Sequence, residues 1–441
     1  MTSQTPEIAG PDGGEERSDP GLPARIAAID LMRAATARRG GLDEALNLPA
    51  FRKLKPQERA FARALAMAVL RNHGRIERAL GARLEKRPNP DVMDLLRIGA
   101  AQLLAMDTPD FAAVATTVKL AERDGGTRPF KGLINAVLRG MIRDGLKPTP
   151  AAANAPDWLF QRWKAAYGEA RAVAIAATIP VEPPTDLTPK DPARAEALAA
   201  VLEAEALPGG SLRVHRKGDV AGWPGFDDGS WWIQDAAAAV PARLLDAKPA
   251  EAALDMCAAP GGKTLQLAAA GATVVAVDRS ASRLKRLHEN LARTGLSAEV
   301  VTADAETWAD PRQFDAVLLD APCTSTGTFR RNPDVLWATG PGDIGKLADV
   351  QHRLLDAAAA RVKPGGRLVY CVCSLEREEG ETQALAFLKR HPEFRTVPAE
   401  PGEGGAPEDA VTPEGWLRIL PSQWRERGGL DGFFAARFAK A

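Results

Sequence analysis

Two cysteines in the C-terminal half of the chain carry the clearest chemical signal. Cys323 ends the segment Asp320-Ala-Pro-Cys323, and Cys373 lies 50 residues later in Tyr370-Cys-Val-Cys-Ser374. A thiolate that adds to carbon 6 of a pyrimidine makes carbon 5 nucleophilic, and a base must then remove the carbon 5 proton. The two thiols are therefore candidates for a nucleophile and its release base. The alternative is a buried core thiol, and it applies most strongly to Cys371.

A glycine-rich segment, Asp255-Met-Cys-Ala-Ala-Pro-Gly-Gly-Lys-Thr264, lies upstream between an apolar run and a helical pattern. Adjacent glycines let a ligand approach the backbone, and the start of a helix offers unpaired N–H groups. The G-x-G-x-x-G pattern of dinucleotide sites is absent. The P-loop pattern G-x-x-x-x-G-K-T is present except that Cys257 replaces its first glycine, and Leu318-Leu-Asp320 could serve as its acidic strand.

Carboxylates at the ends of the predicted strands favour a different ligand. Asp278 is placed to accept hydrogen bonds from ribose hydroxyls, and Asp304 from an adenine amino group. Together with Asp255 and Asp320 they would repel a triphosphate, but they suit the positive sulfonium of S-adenosylmethionine. Each aspartate taken alone could instead cap a helix. We therefore predict a site for S-adenosyl-L-methionine.

The elements that must position these residues follow from the hydrophobic pattern. Short apolar runs alternate with helical stretches, which predicts an α/β fold: a Rossmann-like parallel sheet with helices on both faces. The strands are predicted over 252–256, 273–277, 298–302, 316–319 and 367–372. Residues 416–420 and 432–434 predict a closing antiparallel pair.

The N-terminal third has a different character. Residues 23–145 have helical spacing, and residues 21–150 contain 23 Lys and Arg against 13 Asp and Glu, a net charge of +10. A basic face of this kind attracts polyanions, although a solvated helix surface has the same composition. The basic density begins at Arg52, Lys53 and Lys55, and Arg139 lies on an amphipathic helix one turn after Asn135.

Composition sets further limits. A chain of 441 residues, 45% of them hydrophobic, predicts two or three folded domains. No apolar run is long enough to span a membrane, and four cysteines are too few for a disulfide scaffold, so we expect a cytoplasmic protein. No C-x-x-C pair occurs, so no metal is expected. We predict a disordered leader over 1–21, a helical domain over 22–146, a linker with a small α+β domain over 147–250, and the sheet domain over 251–441.

Several ordered motifs resemble the RNA 5-methylcytosine methyltransferases. They are the glycine-rich segment, the Asp320 to Cys323 loop, Arg331-Asn-Pro-Asp-Val-Leu-Trp337 and Cys373-Ser374 followed by Glu376, Glu378 and Glu379, with Trp232-Ile-Gln-Asp235 and Asp431-Gly-Phe-Phe434 on either side. The resemblance covers roughly residues 156–440. The helical domain, with Phe130-Lys-Gly-Leu-Ile-Asn-Ala-Val-Leu-Arg139, resembles the NusB-type RNA-binding domain that accompanies enzymes of small-subunit ribosomal RNA.

This resemblance implies a role for each matching residue. Cys373 would attack carbon 6, Cys323 would help to release the product, and Asp320 would bind the cytosine or steady the reacting centre. The methionine part of the cofactor would lie against Cys257, Ala258, Ala259, Pro260, Gly261, Gly262 and Lys263, with Asp278 on its ribose and Asp304 on its adenine. Separately from the resemblance, the basic density predicts RNA contacts at Arg52, Lys53 and Lys55, and we also expect contacts at Arg139 and Arg331.

Three departures from the family pattern affect these assignments: Val372 replaces a usual threonine, Cys371 adds a thiol, and Lys190 replaces a common asparagine. The predicted reaction is transfer of a methyl group to carbon 5 of a cytosine in 16S ribosomal RNA, by a monomer without an obligate protein partner. The same chemistry on another RNA such as tRNA, a P-loop nucleotidase, and a non-catalytic RNA-binding or antitermination factor are the alternatives.

Overall fold

The computed structural model describes residues 21–37, 41–145, 148–216 and 218–441. Apart from Gly21, the predicted leader lies outside the described residues. Within the described ranges, no helix combines the length and the apolar character that crossing a membrane requires.

The N-terminal part is entirely helical, as predicted. Its helices pack around one core that includes Leu31, Leu65, Leu96 and Leu138, all fully buried. At the start of one helix the side chain of Asn89 accepts a hydrogen bond from Val92 N, which satisfies a free N–H group of the first turn. The helices are α1 (Leu22–Thr36), α2 (Gly41–Ala45), α3 (Pro49–Arg52), α4 (Pro56–Arg71), α5 (His73–Gly81), α6 (Pro90–Ala105), α7 (Asp110–Arg123) and α8 (Lys131–Asp144).

A small α+β unit follows, also as predicted. Its antiparallel sheet has the strand order β2-β3-β1-β4. Leu187, Leu212 and Trp231 form its core with Leu202. The elements are α9 (Asp157–Tyr167), α10 (Glu169–Thr178), β1 (Thr185–Pro189), α11 (Ala195–Leu202), β2 (Glu205–Ala206), β3 (Leu212–Val214) and β4 (Trp231–Ile233).

The large sheet has helices on both faces. Its order is β10-β12-β9-β8-β5-β6-β7, with β11 paired to β12, and β9, β8, β5, β6 and β7 are parallel neighbours. The elements are α12 (Ala236–Leu245), β5 (Ala252–Met256), α13 (Gly262–Ala269), β6 (Thr273–Asp278), α14 (Ala281–Thr294), β7 (Glu299–Thr302), β8 (Phe314–Asp320), α15 (Val335–Ala338), α16 (Pro341–Arg361), β9 (Val362–Val372), α17 (Glu381–Arg390), β10 (Phe394–Thr396), β11 (Leu417–Ile419) and β12 (Phe433–Lys440).

Alternate residues of each central strand face opposite layers of helices. Ala253 and Leu318 pack with Val240 and Leu244 of α12 on one side. On the other side Leu254 and Leu319 belong to a cluster with α16 and α17. This two-sided burial accounts for the near-continuous apolar runs in the sequence.

The predicted strands are confirmed, and one pairing extends further than predicted. The closing pair exists as β11 and β12, but β12 continues to Lys440 and also pairs with β9 and β10. Phe434 and Phe438 face one core cluster while Phe433 and Ala435 face another. Burial on both faces suits this strand to the interior of the sheet beside β9.

Candidate active site

The two predicted thiols meet at the carboxyl edge of the large sheet. Strands β8 and β9 are parallel neighbours, with Asp320 in register with Cys371, and Cys323 and Cys373 lie just beyond the ends of these strands. The two Sγ atoms are 3.5 Å apart. Ser325 Oγ lies 3.5 Å from Cys373 Sγ and 3.9 Å from Cys323 Sγ. Cys323 and Cys373 are both free thiols, so neither sulfur is blocked by a disulfide.

The hydrogen bond between the thiols makes them chemically unequal. Either sulfur can be the donor, but this hydrogen bond lowers the pKa of Cys373 despite its burial, which favours the arrangement with the proton on Cys323. The same hydrogen bond, with burial, raises the pKa of Cys323 well above its ordinary value. Because the thiolate is the nucleophilic form, Cys373 is the better nucleophile and Cys323 the stronger base once it is ionised.

Asp320 lies next to this pair and is held by Lys263. The Asp320 Oδ2 atom is 2.7 Å from Lys263 Nζ, which also lies 5.0 Å from the centre of the Phe433 ring. Burial lowers the pKa of Lys263, but the Asp320 carboxylate outweighs this and raises it above the ordinary value. A P-loop lysine has to reach bound phosphates, so this ion pair disfavours the nucleotidase interpretation.

The third thiol is in a different position. Cys371 is fully buried within β9, with its Sγ 3.6 Å from Asp320 Oδ1. Burial raises the pKa of Cys371 well above its ordinary value, which makes its thiol inert. Cys371 therefore behaves as a core residue behind the site.

The glycine-rich segment forms a tight turn between β5 and α13. Gly261 has φ of 109°, and a Cβ atom there would lie 2.4 Å from Leu287 Cδ1, so only glycine fits. The carboxylate of Asp278 supports the turn: its Oδ2 accepts from Ala259 N at 3.0 Å and its Oδ1 from Ser280 N at 2.8 Å. The peptide bond between Ala259 and Pro260 is cis.

Asp255, one of the four predicted carboxylates, is fully buried at this site. Its Oδ2 accepts a hydrogen bond from Thr264 Oγ1 at 2.5 Å, and its Oδ1 has no hydrogen-bond partner among the described residues. Burial raises the pKa of Asp255 to about 7. Asp278 is also buried, but both of its oxygens accept hydrogen bonds, so the Oδ1 without a partner distinguishes Asp255, and only a three-dimensional structure reveals this.

The carboxylates suit a cationic nucleoside ligand. Asp278, Asp304 and Asp320 follow or end β6, β7 and β8, which places them along the same edge of the sheet. Asp304 is exposed and accepts a hydrogen bond from Glu306 N at 3.0 Å. Of these three carboxylates, Asp320 forms an ion pair with a lysine or arginine of the described ranges, and its partner is Lys263. The remaining negative charge, beside a turn without side chains at Gly261 and Gly262, fits S-adenosylmethionine.

An ion-pair cluster joins three distant motifs. Arg331 Nε lies 2.7 Å from Asp431 Oδ2, and Arg330 Nη1 lies 3.5 Å from Asp235 Oδ2. Asp235 and Asp431 are buried, whereas 38% of the Arg331 side chain is exposed. The charge of Arg331, a predicted RNA contact, is thus already partly balanced within the protein.

The other predicted RNA contacts lie on the helical part. Arg52, Lys53 and Lys55 are exposed between α3 and α4, and Arg139 is exposed on α8 with its Nε 3.0 Å from Asn135 Oδ1. Lys190, one of the departures from the family pattern, donates to Thr294 O at 2.7 Å.

The helical part also contacts the loop that follows Cys323, which the sequence did not predict. The rings of His73 and Trp337 stack with their centres 4.2 Å apart, and Trp337 Nε1 donates to Leu70 O at 3.0 Å. Arg71 donates to Arg330 O at 2.7 Å. These contacts connect helices α4 and α5 to α15, which contains Trp337, and to the loop before α15, which contains Arg330.

Comparison with known proteins agrees with this description. Residues 242–439 match the family model described as 16S rRNA methyltransferase RsmB/F, and residues 22–143 match the NusB family. The chain is similar to ribosomal RNA small subunit methyltransferase B of Vibrio cholerae, with 36% identity across 89% of this chain and 92% of the relative. The protein of that name from Pseudomonas syringae is also 36% identical, across 94% of this chain and 96% of its own.

Two solved structures have the same overall fold. The crystal structure of PH0851 covers 96% of this chain and 99% of its own at a TM-score of 0.76 and 27% identity. A methyltransferase homologue from Pyrococcus horikoshii covers 69% of this chain and 98% of its own, at a TM-score of 0.55 and 27% identity. The chain therefore belongs to the 16S rRNA methyltransferase RsmB/F family, and its methyl donor is S-adenosyl-L-methionine.

Proposed function

We propose that this protein transfers a methyl group from S-adenosyl-L-methionine to carbon 5 of a cytosine in 16S ribosomal RNA, through a covalent bond between Cys373 and carbon 6. The observation that supports this most strongly is the pair of free thiols, 3.5 Å apart, whose shared hydrogen bond favours the thiolate on Cys373. Carbon 5 of cytosine is a poor nucleophile, and attack by a thiolate at carbon 6 removes this obstacle.

Each thiol has one role in the proposed reaction. The Cys373 thiolate forms a bond to carbon 6, which places electron density on carbon 5. The bound cofactor supplies an electrophilic methyl group. The Cys323 thiol then gives its proton to solvent, and the resulting thiolate takes the proton from carbon 5. The double bond between carbon 5 and carbon 6 forms again, and Cys373 leaves carbon 6 as a thiolate.

The charges on the two thiols set the order of the proposed reaction steps. The hydrogen bond to Cys373 and burial raise the pKa of Cys323, and the negative charge of a Cys373 thiolate raises it further. When that charge is consumed in the bond to carbon 6, the repulsion that opposes ionisation of Cys323 disappears. Cys323 therefore becomes able to act as a base after the adduct has formed.

Asp320 is proposed to bind the cytosine or to steady the reacting centre. Its ion pair with Lys263 fixes the orientation of the Asp320 carboxylate. For the cofactor we propose the glycine-rich turn from Cys257 to Lys263 against the methionine part, Asp278 at the ribose and Asp304 at the adenine.

We further propose that residues 22–146 bind RNA, that residues 147–250 connect the two larger domains, and that residues 251–441 carry out the reaction. The proposed enzyme is a monomer and acts in the cytoplasm. The exposed cations Arg52, Lys53, Lys55 and Arg139 are the proposed phosphate contacts, together with the partly exposed Arg331. The target base has to be unpaired or flipped out of its helix, because both thiols lie at the edge of a packed sheet.

Replacement of the proposed nucleophile tests the reaction. Cys373→Ser should abolish methyl transfer to RNA while the affinity for S-adenosylmethionine stays at the wild-type value, because serine is a far weaker nucleophile at neutral pH. Transfer is measured with labelled cofactor and chromatography of the digested RNA, and affinity by calorimetry. Cys371→Ser is the matched control. Full activity of Cys373→Ser, or a product other than 5-methylcytosine with the wild type, would contradict the proposal.

A further inference from the structure

Glu379 is a fully buried carboxylate with an unusual set of partners. Its Oε1 accepts hydrogen bonds from Thr324 N at 2.9 Å and from Gln351 Nε2 at 3.1 Å. Its Oε2 accepts from Thr324 Oγ1 and from Ser374 Oγ, both at 2.5 Å. Four donors thus converge on one side chain in the core.

Two of the residues that donate to Glu379 lie next to the two thiols. Thr324 directly follows Cys323, and Ser374 directly follows Cys373, so one carboxylate holds the residue after each thiol. The two side chains also contact each other, with Thr324 Oγ1 3.1 Å from Ser374 Oγ. Gln351 of α16 additionally donates to Pro322 O at 2.9 Å, which ties the loop of Cys323 to the same centre.

Glu379 is satisfied by hydrogen bonds rather than by an ion pair. Among the residues that the structure describes, no lysine or arginine lies within ion-pair distance of its carboxylate. Burial raises the pKa of Glu379, and the hydrogen bonds oppose this shift. A buried carboxylate of this kind is stable only while its donors remain in place. The four donors therefore stabilise the carboxylate, and the carboxylate fixes their positions.

We propose that Glu379 is a positioning residue that sets the separation and orientation of the Cys323 and Cys373 thiols by holding the residue that follows each of them. The proposal rests on the proposed function for its catalytic meaning, but its geometric content concerns the free protein alone. A carboxylate offers only acceptors to the four donors, whereas a glutamine amide would direct an N–H group at one of them. Glu379→Gln should therefore separate the two thiol loops with almost no change in side-chain size.

The test measures the pH profile of Cys373 alkylation by iodoacetamide on the free protein, followed by peptide mass spectrometry. In the wild type the midpoint should lie below about 8.5, the ordinary cysteine value. In Glu379→Gln it should move up toward that value, because Cys323 no longer donates to Cys373. Single-turnover methyl transfer should fall about 10- to 100-fold, the decrease expected when a reacting group is misplaced by roughly 1 Å. Glu379→Asp, which keeps the carboxylate, should recover part of both properties.

Glu378→Gln is the matched control. Glu378 is 48% exposed and binds Arg162, so this variant should keep the wild-type profile and rate. A folded Glu379→Gln protein with the wild-type midpoint and rate would overturn the proposal. If Glu379→Gln does not fold, Ser374→Ala decides, since it removes the contacts of Ser374 Oγ with Glu379 and Thr324 and leaves the Glu379 side chain unchanged. An upward shift of the midpoint supports the proposal, and an unchanged midpoint overturns it. A shifted midpoint in a protein whose wild type makes no 5-methylcytosine would contradict the proposed function and leave the positioning role intact.

Discussion

The chemistry of this site depends on differences between residues of the same type. Cys371 and Cys373 are two positions apart, yet Cys371 is buried against Asp320 while Cys373 contacts Cys323, because β9 ends at Val372. The sequence predicted the pair Cys323 and Cys373 correctly as neighbours, since parallel strands place their carboxyl ends at one edge. It did not reveal which thiol donates or how the donors around Glu379 are arranged, because these depend on side-chain directions in the folded loops.

The unequal protonation of the thiols gives a pH-dependent prediction. Only the thiolate is alkylated, so reactivity of Cys373 rises as the pH passes upward through its pKa, which the Cys323 hydrogen bond lowers. Cys323→Ala removes this donor, and the midpoint for Cys373 should move upward by about 1 pH unit, equivalent to roughly 1.4 kcal/mol. The measurement is mass spectrometry of iodoacetamide-treated protein between pH 5 and 10, with Cys257→Ala as the control. A midpoint that stays or falls would contradict this assignment of donor and acceptor.

At the scale of elements, local pattern predicted most of the strands and helices but not all of their pairings. The alternation of apolar runs with helical stretches gave β5 to β9 correctly, because both faces of a parallel sheet are buried. The insertion of β12 between β9 and β10 depends on partners more than 40 residues away in sequence. The contact of α5 with α15 was also beyond prediction, since His73 and Trp337 are joined only by the tertiary structure.

That contact predicts an effect of pH on stability. Burial lowers the pKa of His73 to about 4; Glu77 opposes this shift, and Arg97 and Arg87 add to it. Because the folded-state pKa lies below the unfolded value of about 6.5, neutral His73 stabilises the fold above pH 6.5, and this contribution is lost as the pH falls from about 6.5 toward 4.

His73→Phe keeps an aromatic ring against Trp337 but cannot take up a proton. The wild type should therefore lose more thermal stability than His73→Phe between pH 7 and pH 5, measured by calorimetry at both pH values. Acid effects of other groups are common to both proteins, so their difference isolates His73. Equal losses in the two proteins would show that His73 does not take up its proton in this range.

On the scale of the whole molecule, charge is distributed unevenly between the helical part and the rest of the chain. Its net charge of zero combines a helical part of +10 over residues 21–150 with acidic remaining segments, so neutrality does not exclude a polyanionic substrate. Composition alone predicted this asymmetry. The structure adds that the helical part contacts the loop after Cys323 through Leu70, Arg71 and His73, so the basic part and the thiols belong to one packed molecule.

The proposed RNA surface can be tested by charge removal. Replacement of Arg52, Lys53 and Lys55 by glutamine should weaken binding of 16S RNA and flatten its dependence on salt. The slope of log K against log salt should decrease in magnitude by about 0.7 to 0.9 for each phosphate that the variant no longer neutralises. Filter binding over a range of salt concentrations measures both quantities. A control with Lys248 and Lys285 changed to glutamine, both exposed and outside the helical part, should bind as the wild type does. If the variant at Arg52, Lys53 and Lys55 has the wild-type affinity and salt slope, these three side chains do not bind RNA.

The central claim is that one thiol bonds to RNA and the other releases it, and the residue attached to RNA is its most direct measure. In Cys323→Ala the release base is absent, so incubation with RNA and S-adenosylmethionine should leave a protein–RNA complex that survives denaturant. Digestion and mass spectrometry should then find the nucleotide on the peptide that contains Cys373. Absence of such a complex, or attachment of the nucleotide at any other residue, would contradict the account.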